Sequence, residues 1–350
     1  MEKISFKPIW FDSLGAKSAC TLVKTKDIKI LIDPGVAIMQ PSFPASFAKK
    51  LYWKEKGKKE IKNASKIADV IIISHYHYDH YFPNDLSIYK NKLLFVKNPN
   101  EYINDSQRKR AEKFFEKICK RFGKIELEEI LEKKKAKVYV DVFDRLEIAK
   151  KKSFGNYNKR RKELLKLGKK WFENRAKNWN ENLRIPELKF KDLEIKFGDG
   201  KKFEFGKTKI RFTSPLFHGL EYSRVGWVFA CVIECGKQKL IYSSDLNGPI
   251  IEDYADWIIK ENPDFLILDG PMTYMFGYLL NKINLSRAIE NACRIVRNVK
   301  AEIIIYDHHL PRERKFRERT KKVWEIGKKE GKKVLTAAEF FGKKPVILTL

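Results

Sequence analysis

The sequence predicts an α/β fold, a four-layer αββα sandwich, and three observations carry that reading. Short β-branched runs fall in two groups, one before residue 100 and one after residue 200, as two separate sheets require. Apolar residues between and beyond them recur at helical spacing, which supplies the outer layers. All six histidines follow apolar stretches at which a strand would end. At 350 residues and 43% hydrophobic composition the chain can bury a large core, and its length suggests about two domains.

Taken in order, residues 4–6, 19–23 and 28–32 read as short strands, the last two as a hairpin closed at Lys26 and Asp27. Pro41, Pro44 and Gly57 predict an irregular basic segment, with a short helix only over 62–67. Residues 68–73 read as a fully buried strand and 93–96 as another, with a turn at Pro83, Asn84 and Asp85 between them. The character then changes. Ala111, Phe114, Phe115, Ile118, Cys119 and Phe122 fit a helix, as do Leu164, Leu165, Gly168, Trp171, Phe172, Ala176 and Trp179. The expected organisation is therefore residues 1–99 as the first half of the core, 100–192 as a helical basic insertion and 193–350 as the second half. Strands return at 203–205, 209–212, 227–234, 239–243, 265–269 and 303–306. Helices are expected near 252–260 and over 285–299, the latter capped by Asn284 or Ser286. One more helix and a short terminal strand close the chain.

The formal net charge is +28, and residues 108–189 carry 27 Lys plus Arg against 13 Asp plus Glu. Half the excess thus lies in under a quarter of the chain, so RNA or another polyanion is an expected partner, weighed against the solvated charged surface common in thermophile proteins. Trp171, Phe172 and Trp179 interleave with these cations; packing of the helix onto its own domain is weighed above base stacking. Five scattered cysteines read as reduced, mostly buried thiols. Residues 1–11 contain no apolar leader core, and no run approaches a membrane span, so a cytoplasmic, membrane-free protein is expected. Oligomeric state is left open.

The densest chemistry is the run Ser74, His75, Tyr76, His77, Tyr78, Asp79, His80. On extended or turn backbone, residues two apart point the same way, so His75 and His77 can chelate one ion. Asp79 and His80 follow, placed for a second ion. A carboxylate oxygen beside imidazoles suits zinc, with manganese or iron as alternatives. His218 follows a further apolar run, and His308 and His309 follow residues 301–307.

The pattern H-x-H-x-D-H over residues 75–80 resembles the signature of the metallo-β-lactamase superfamily. Asp33 after Leu31 and Ile32, His218 between Phe217 and Gly219, Asp245 after Ser243 and Ser244, and His308 and His309 before Leu310 and Pro311 resemble its further motifs in the same order. The segments 74–80 and 243–249 look most like an archaeal group of uncharacterised predicted metallohydrolases, so the resemblance implies a fold and a metal site but no substrate. It implies that His75, His77 and His218 hold one metal ion and that Asp79, His80 and one of His308 or His309 hold the other. Asp245 would bridge the two, and the motif favours His308 over His309. His309 would then orient a neighbour or donate a proton to the leaving group, Asp79 would also orient the nucleophile, and Asp33 would orient a metal histidine.

Two such ions lower the pKa of a bridging water from 15.7 toward ~7, giving a hydroxide that attacks a phosphodiester, nucleic acid included, or a small ester or lactone. The alternatives are a metal-containing nucleic-acid-binding protein with little turnover and an iron-dependent oxygen-using enzyme. Relatives of the last kind carry a glutamate where His77 stands. Nuclease relatives place extra domains after the bridging aspartate, and tRNA-processing relatives place an arm before it. Here Asp245 to His308 spans 63 residues and His218 to Asp245 only 27, too few for either.

Overall fold

Two seven-stranded sheets lie face to face; one has parallel strands at its middle and antiparallel pairs at both edges, the other has hairpins toward one edge and parallel strands toward the other. The computed structural model describes residues 3–350; Met1 and Glu2, which open the stretch read above as lacking a leader core, lie outside the described residues. The first sheet contains β1 (Ser5–Phe11), β2 (Ala19–Lys24), β3 (Lys29–Ile32), β4 (Val70–Ile73), β5 (Lys92–Val96), β6 (Leu188–Phe190) and β7 (Leu193–Phe197), in the order β1-β2-β3-β4-β5-β7-β6. The second contains β8 (Lys202–Phe205), β9 (Thr208–Phe212), β12 (Cys231–Cys235), β13 (Gln238–Tyr242), β14 (Phe265–Asp269), β15 (Ile303–Asp307) and β16 (Lys333–Leu335), in the order β16-β15-β14-β13-β12-β9-β8. A small ribbon pairs β10 (Leu216–Phe217) with β11 (Trp227–Val228). The helices are α1 (Phe47–Ile67), α2 (Asp105–Ile118), α3 (Glu147–Lys151), α4 (Asn158–Glu181), α5 (Glu252–Glu261), α6 (Lys282–Asn298), α7 (Phe316–Arg319), α8 (Lys321–Lys329) and α9 (Ala337–Phe340).

The period-two alternation of the strands builds the layers. Ile30, Ile32, Val70 and Ile72 pack between the sheets against Ile233, Leu240, Ile267 and Ile305. Their neighbours Leu31, Ile71 and Ile73 turn the other way, onto Ile61 of α1 and Phe114 of α2. In the second sheet Ile241, Leu266 and Ile304 turn outward onto Ile258, Ile295 and Val323 of α5, α6 and α8. Each fully buried aliphatic contributes roughly 1.5–3 kcal/mol. The arrangement is the four-layer αββα sandwich of the metallo-β-lactamase-like fold class.

Four local expectations differ from what is observed. Residues 47–67 form one helix of 21 residues, not an irregular segment. Ser46 caps it by accepting from the Lys49 amide, and Gly57, read as a breaker, lies where the helix crosses Trp10; a Cβ there would sit 2.9 Å from the indole. The residues 227–234 break into β11 and β12, because the Phe229 amide leaves the ladder to donate to the Ser74 carbonyl. The cap of α6 is Asn281, whose side chain accepts from the Asn284 amide at 2.8 Å. The chain ends in a 3-10 turn, Val346–Leu348, rather than a strand.

Between β5 and β6 the chain forms α2, α3 and α4 with irregular stretches, and its last residues, Leu188–Phe190, are an edge strand rather than helix. Phe114, Phe115, Phe172 and Trp179 pack in the same apolar cluster as Leu31 and Ile71. Trp171 stacks on Trp227 with ring centroids 5.1 Å apart, and Trp179 donates its indole N–H to the Ile103 carbonyl. These aromatics pin α4 to the fold. Among the described residues no helix is long and apolar enough to cross a membrane, and all five cysteines are buried and free.

Candidate metal centre

Parallel strands point their carboxyl ends the same way, and the loops leaving those ends meet between the two sheets. Asp33 follows β3, the run from Ser74 to His80 follows β4, His218 follows β10 and Asp245 follows β13. Asp269 ends β14, and His308 and His309 follow β15. The turns are tight. Asp33, Ser244, Asn247, His308 and His309 all have positive φ, at 47°, 55°, 53°, 22° and 56°. Each such residue costs about 1–3 kcal/mol, which the surrounding packing sustains. At Gly35 a Cβ would lie 2.2 Å from the Tyr81 amide nitrogen and 2.4 Å from that of His80, so only glycine lets the two loops touch.

The sequence-predicted residues come together. Ligand-type atoms of His75, His77, His218 and Asp245 lie within 4.8 Å of one another, as do those of Asp79, His80 and His308, and those of Asp245, His308 and His309. Asp245 stands at the middle, its Oδ2 lying 3.1 Å from His218 Nε2, 3.3 Å from His80 Nε2 and 3.4 Å from His75 Nε2. His75 Nε2 and His77 Nδ1 are 2.9 Å apart. His308 Nε2 faces both Asp245, at 3.6 Å, and Asp79, at 3.9 Å. His309 Nε2 faces Asp245 alone, at 3.8 Å.

Behind this cluster a second ring of groups fixes the imidazoles. Asp33 accepts from the Ser74 amide and hydroxyl and from Tyr242, and its Oδ2 lies 2.9 Å from His80 Nδ1. Asp12 faces His308 Nδ1 at 3.1 Å and accepts from the His309 amide and from Arg312 Nε. Asp269 faces His309 Nδ1 at 2.9 Å. With Nδ1 engaged outward, His80, His308 and His309 turn Nε2 toward the centre, and Asp33 and Asp12 raise the basicity of the His80 and His308 rings.

Burial opposes charge on every group here, and the neighbours decide the outcome. Burial, reinforced by the His80 charge, pushes His75 down to about 4, and burial takes His77 and His309 well below the imidazole range. Against that same burial, Asp245 and Asp33 lift His80 to about 10, while Asp12 and Asp245 lift His308. Asp245 is buried too, yet His80, His75 and His308 hold it well below the carboxylate range. Asp269, buried beside Asp245, is pushed well above it. The cluster thus draws positive charge to its middle.

Divalent cations fit the donor set. The Nε2 atoms of His80, His218 and His308 and both oxygens of Asp245 are buried without a hydrogen-bond partner. A neutral buried group left so costs about 1–3 kcal/mol and a charged one more. Five such atoms converging on one point match a site built for cations with imidazole and carboxylate ligands.

Four charged positions around the cluster escaped the sequence reading: Asp12, Asp269, Lys17 and Arg312. Asp12 follows the apolar end of β1 and Asp269 ends β14, so the strand-end rule applied to the histidines also reaches these carboxylates. Arg312 is buried, its Nη2 is unpartnered and 3.6 Å from Asp79 Oδ2, and its Nη1 donates to Tyr274. Burial and the Arg312 charge push Lys17 down, against the pull of Asp79 and Asp12. No local pattern marks either cation.

Residues 15–87 match the Metallo-beta-lactamase superfamily. The chain is similar to a UPF0282 protein of Methanocaldococcus jannaschii, 33% identical over 97% of this chain and 92% of that one. It is also similar to a UPF0282 protein of Methanopyrus kandleri, 30% identical over 97% and 95%. Among solved structures it resembles a diiron beta-hydroxylase from Streptomyces venezuelae, with a TM-score of 0.43 and 11% identity over 96% of this chain. The match covers 53% of that enzyme, so the chain spans about half its length.

Proposed function

Because the chain belongs to the UPF0282 family, within the metallo-β-lactamase superfamily, we propose that it is a cytoplasmic hydrolase working with two divalent metal ions. The observation that carries this reading is the set of five unpartnered buried atoms on His80, His218, His308 and Asp245. His75, His77 and His218 would hold one ion, and Asp79, His80 and His308 the other, with Asp245 between them. When bound, such a pair lowers the pKa of water toward ~7 and withdraws charge from a developing oxyanion; zinc is the first choice, manganese or iron the alternatives.

The chain's own residues do the rest. Asp79 is the most solvent-open of the ligand carboxylates, its side chain 15% exposed against 2% for Asp245, and Arg312 steadies it at the mouth. It orients the attacking water. Asp269, its carboxyl pushed up by burial and by Asp245, faces His309 Nδ1, so the pair can pass a proton from His309 Nε2 to a leaving oxygen. Arg312 and Lys17 at the same edge favour an anionic substrate, which puts a phosphodiester ahead of a small ester or lactone. Five buried thiols suit a reducing compartment.

The test is metal content by plasma emission after zinc or manganese repletion, beside turnover of generic phosphodiester, lactone and thioester substrates. About two ions per chain are expected, and Asp79→Asn should lower turnover by several orders of magnitude with the fold intact. A stoichiometry near zero, or full activity in that variant, overturns the reading.

A further inference from the structure

The helices α1 and α2 flank the loop that carries Tyr78, and between them runs a cleft of about 840 Å³. That volume lies in the range of ligand sites, ~300–1,000 Å³. Lys54 and Lys58 line it from α1, one turn apart, and Arg110, Lys113 and Lys117 line it from α2 at spacings of three and four. Two cationic stripes therefore face one another. Among the described lining residues the only carboxylate is Asp85, already engaged by Lys62 at 2.7 Å.

These cations share one cleft and are mostly free of carboxylates. Lys54 pairs with Glu55, but Lys58, Arg110, Lys113 and Lys117 have no carboxylate partner among the described residues; Arg110 Nε donates to the Tyr76 carbonyl and Lys117 to Pro83 and Asn84. A second cleft shares Asn84, Asp85 and Lys117 and continues past Lys120 and Arg121. From Arg110 to Arg121 the rise along the helix gives a path of about 16 Å, long enough for several phosphates of one strand.

The floor is aromatic. Tyr78, Tyr81 and Phe82 line it; Tyr78 is 48% exposed, with the Arg110 guanidinium 5.8 Å from its ring centroid. Such a ring accepts a stacked base, and only an unpaired base can reach it. Tyr78 is also the sequence neighbour of His77 and Asp79, on the loop that carries the first candidate ligands.

We propose that this cleft binds single-stranded nucleic acid. The proposal deepens the hydrolase reading by naming a substrate class and rests on it for the fate of the strand, while binding stands apart from turnover. It also moves the polyanion contact from α4, whose aromatics are spent on packing, to the facing sides of α1 and α2.

The experiment measures binding of labelled oligouridine, oligodeoxythymidine and a duplex of equal length to the metal-loaded protein across a salt series, by anisotropy. One variant carries Lys58→Gln, Lys113→Gln and Lys117→Gln; its control carries Lys159→Gln, Lys162→Gln and Lys166→Gln on the exposed side of α4, with the same change in charge. Each lost phosphate contact should lower the salt slope by ~0.7, so the cleft variant should lose about 2 from the slope and roughly a hundredfold in affinity near 0.1 M salt. The control should keep both. The RNA and DNA arms decide which strand is preferred. Equal losses in the two variants, a duplex that binds as tightly as single strands, or no binding by the wild-type protein each overturns the proposal. Metal content and turnover of a small phosphodiester are measured on the same preparation. Two bound ions and turnover without strand binding would sink this proposal alone; strand binding in the cleft without turnover would sink the hydrolase reading alone.

Discussion

His308 and His309 are adjacent, buried and both at positive φ, yet they face different partners. His308 lies between Asp12 and Asp245 and is pulled up, against burial, toward its charged form; His309, buried beside that charge, is pushed down. One position therefore attracts a cation and its neighbour keeps a neutral ring. His308→Ala should lower metal occupancy, whereas His309→Ala should retain the ions and lose turnover, read by plasma emission and rate on one preparation. The reverse pattern would exchange their roles. This pair also marks the limit of local sequence reading. The two histidines stand out in the sequence, but what separates them is Asp12, almost 300 residues away, and Asp269, on a different strand.

At the scale of elements, Gly35 is the point where the loop after β3 touches the loop after β4. Gly35→Ala would drive a methyl group into the backbone of His80 and Tyr81, which no side-chain rotation relieves. A loss of about 3 kcal/mol or more in denaturant unfolding is expected, together with weakened metal retention in chelator competition. A variant as stable as the parent would show that the loops can part freely. The strands that frame this contact were legible because β4 is an unbroken β-branched run and β2–β3 alternate around a short turn. Helix α1 was not, because its buried positions are Lys50, Gly57, Ile61, Ala64 and Ser65, a face with a single large apolar residue. Small residues bury a helix by close approach, not by a hydrophobic stripe, and Lys50 is accommodated because its ammonium donates to the Gln40 and Pro41 carbonyls. Of the carboxylates behind the centre, Asp33 was read from its motif, but Asp12 and Asp269 were hidden for a related reason: each acts through a contact between distant loops.

Across the whole molecule, Arg287 of α6 ties the layers together. It donates to Glu252 of α5 at 2.7 and 2.9 Å and to Glu221, three residues past His218, at 2.7 and 3.1 Å; Arg161 of α4 joins at Glu221. Burial raises both carboxyls, but Arg287 more than offsets it and holds them below their ordinary value. Depressed carboxylates contribute stability that is full above the unfolded value near 4.5 and is lost as pH falls through the folded one. Arg287→Met leaves Glu221 only Arg161 and Glu252 only Lys152, so it should cost about 3 kcal/mol at neutral pH, the low end for breaking a buried pair. The gap to wild type should narrow below pH ~4.5 as those carboxyls take up protons. Unfolding curves at both pH values check this, and a pH-independent gap would refute the charge argument. The centre draws on residues from Asp12 to Arg312, and that span has a consequence in time. Asp245 is made 165 residues after His80. At ~5–20 residues per second the first histidines wait roughly ten to thirty seconds on the ribosome for their central carboxylate, and longer for His308. The full donor set therefore exists only once the second sheet has been made.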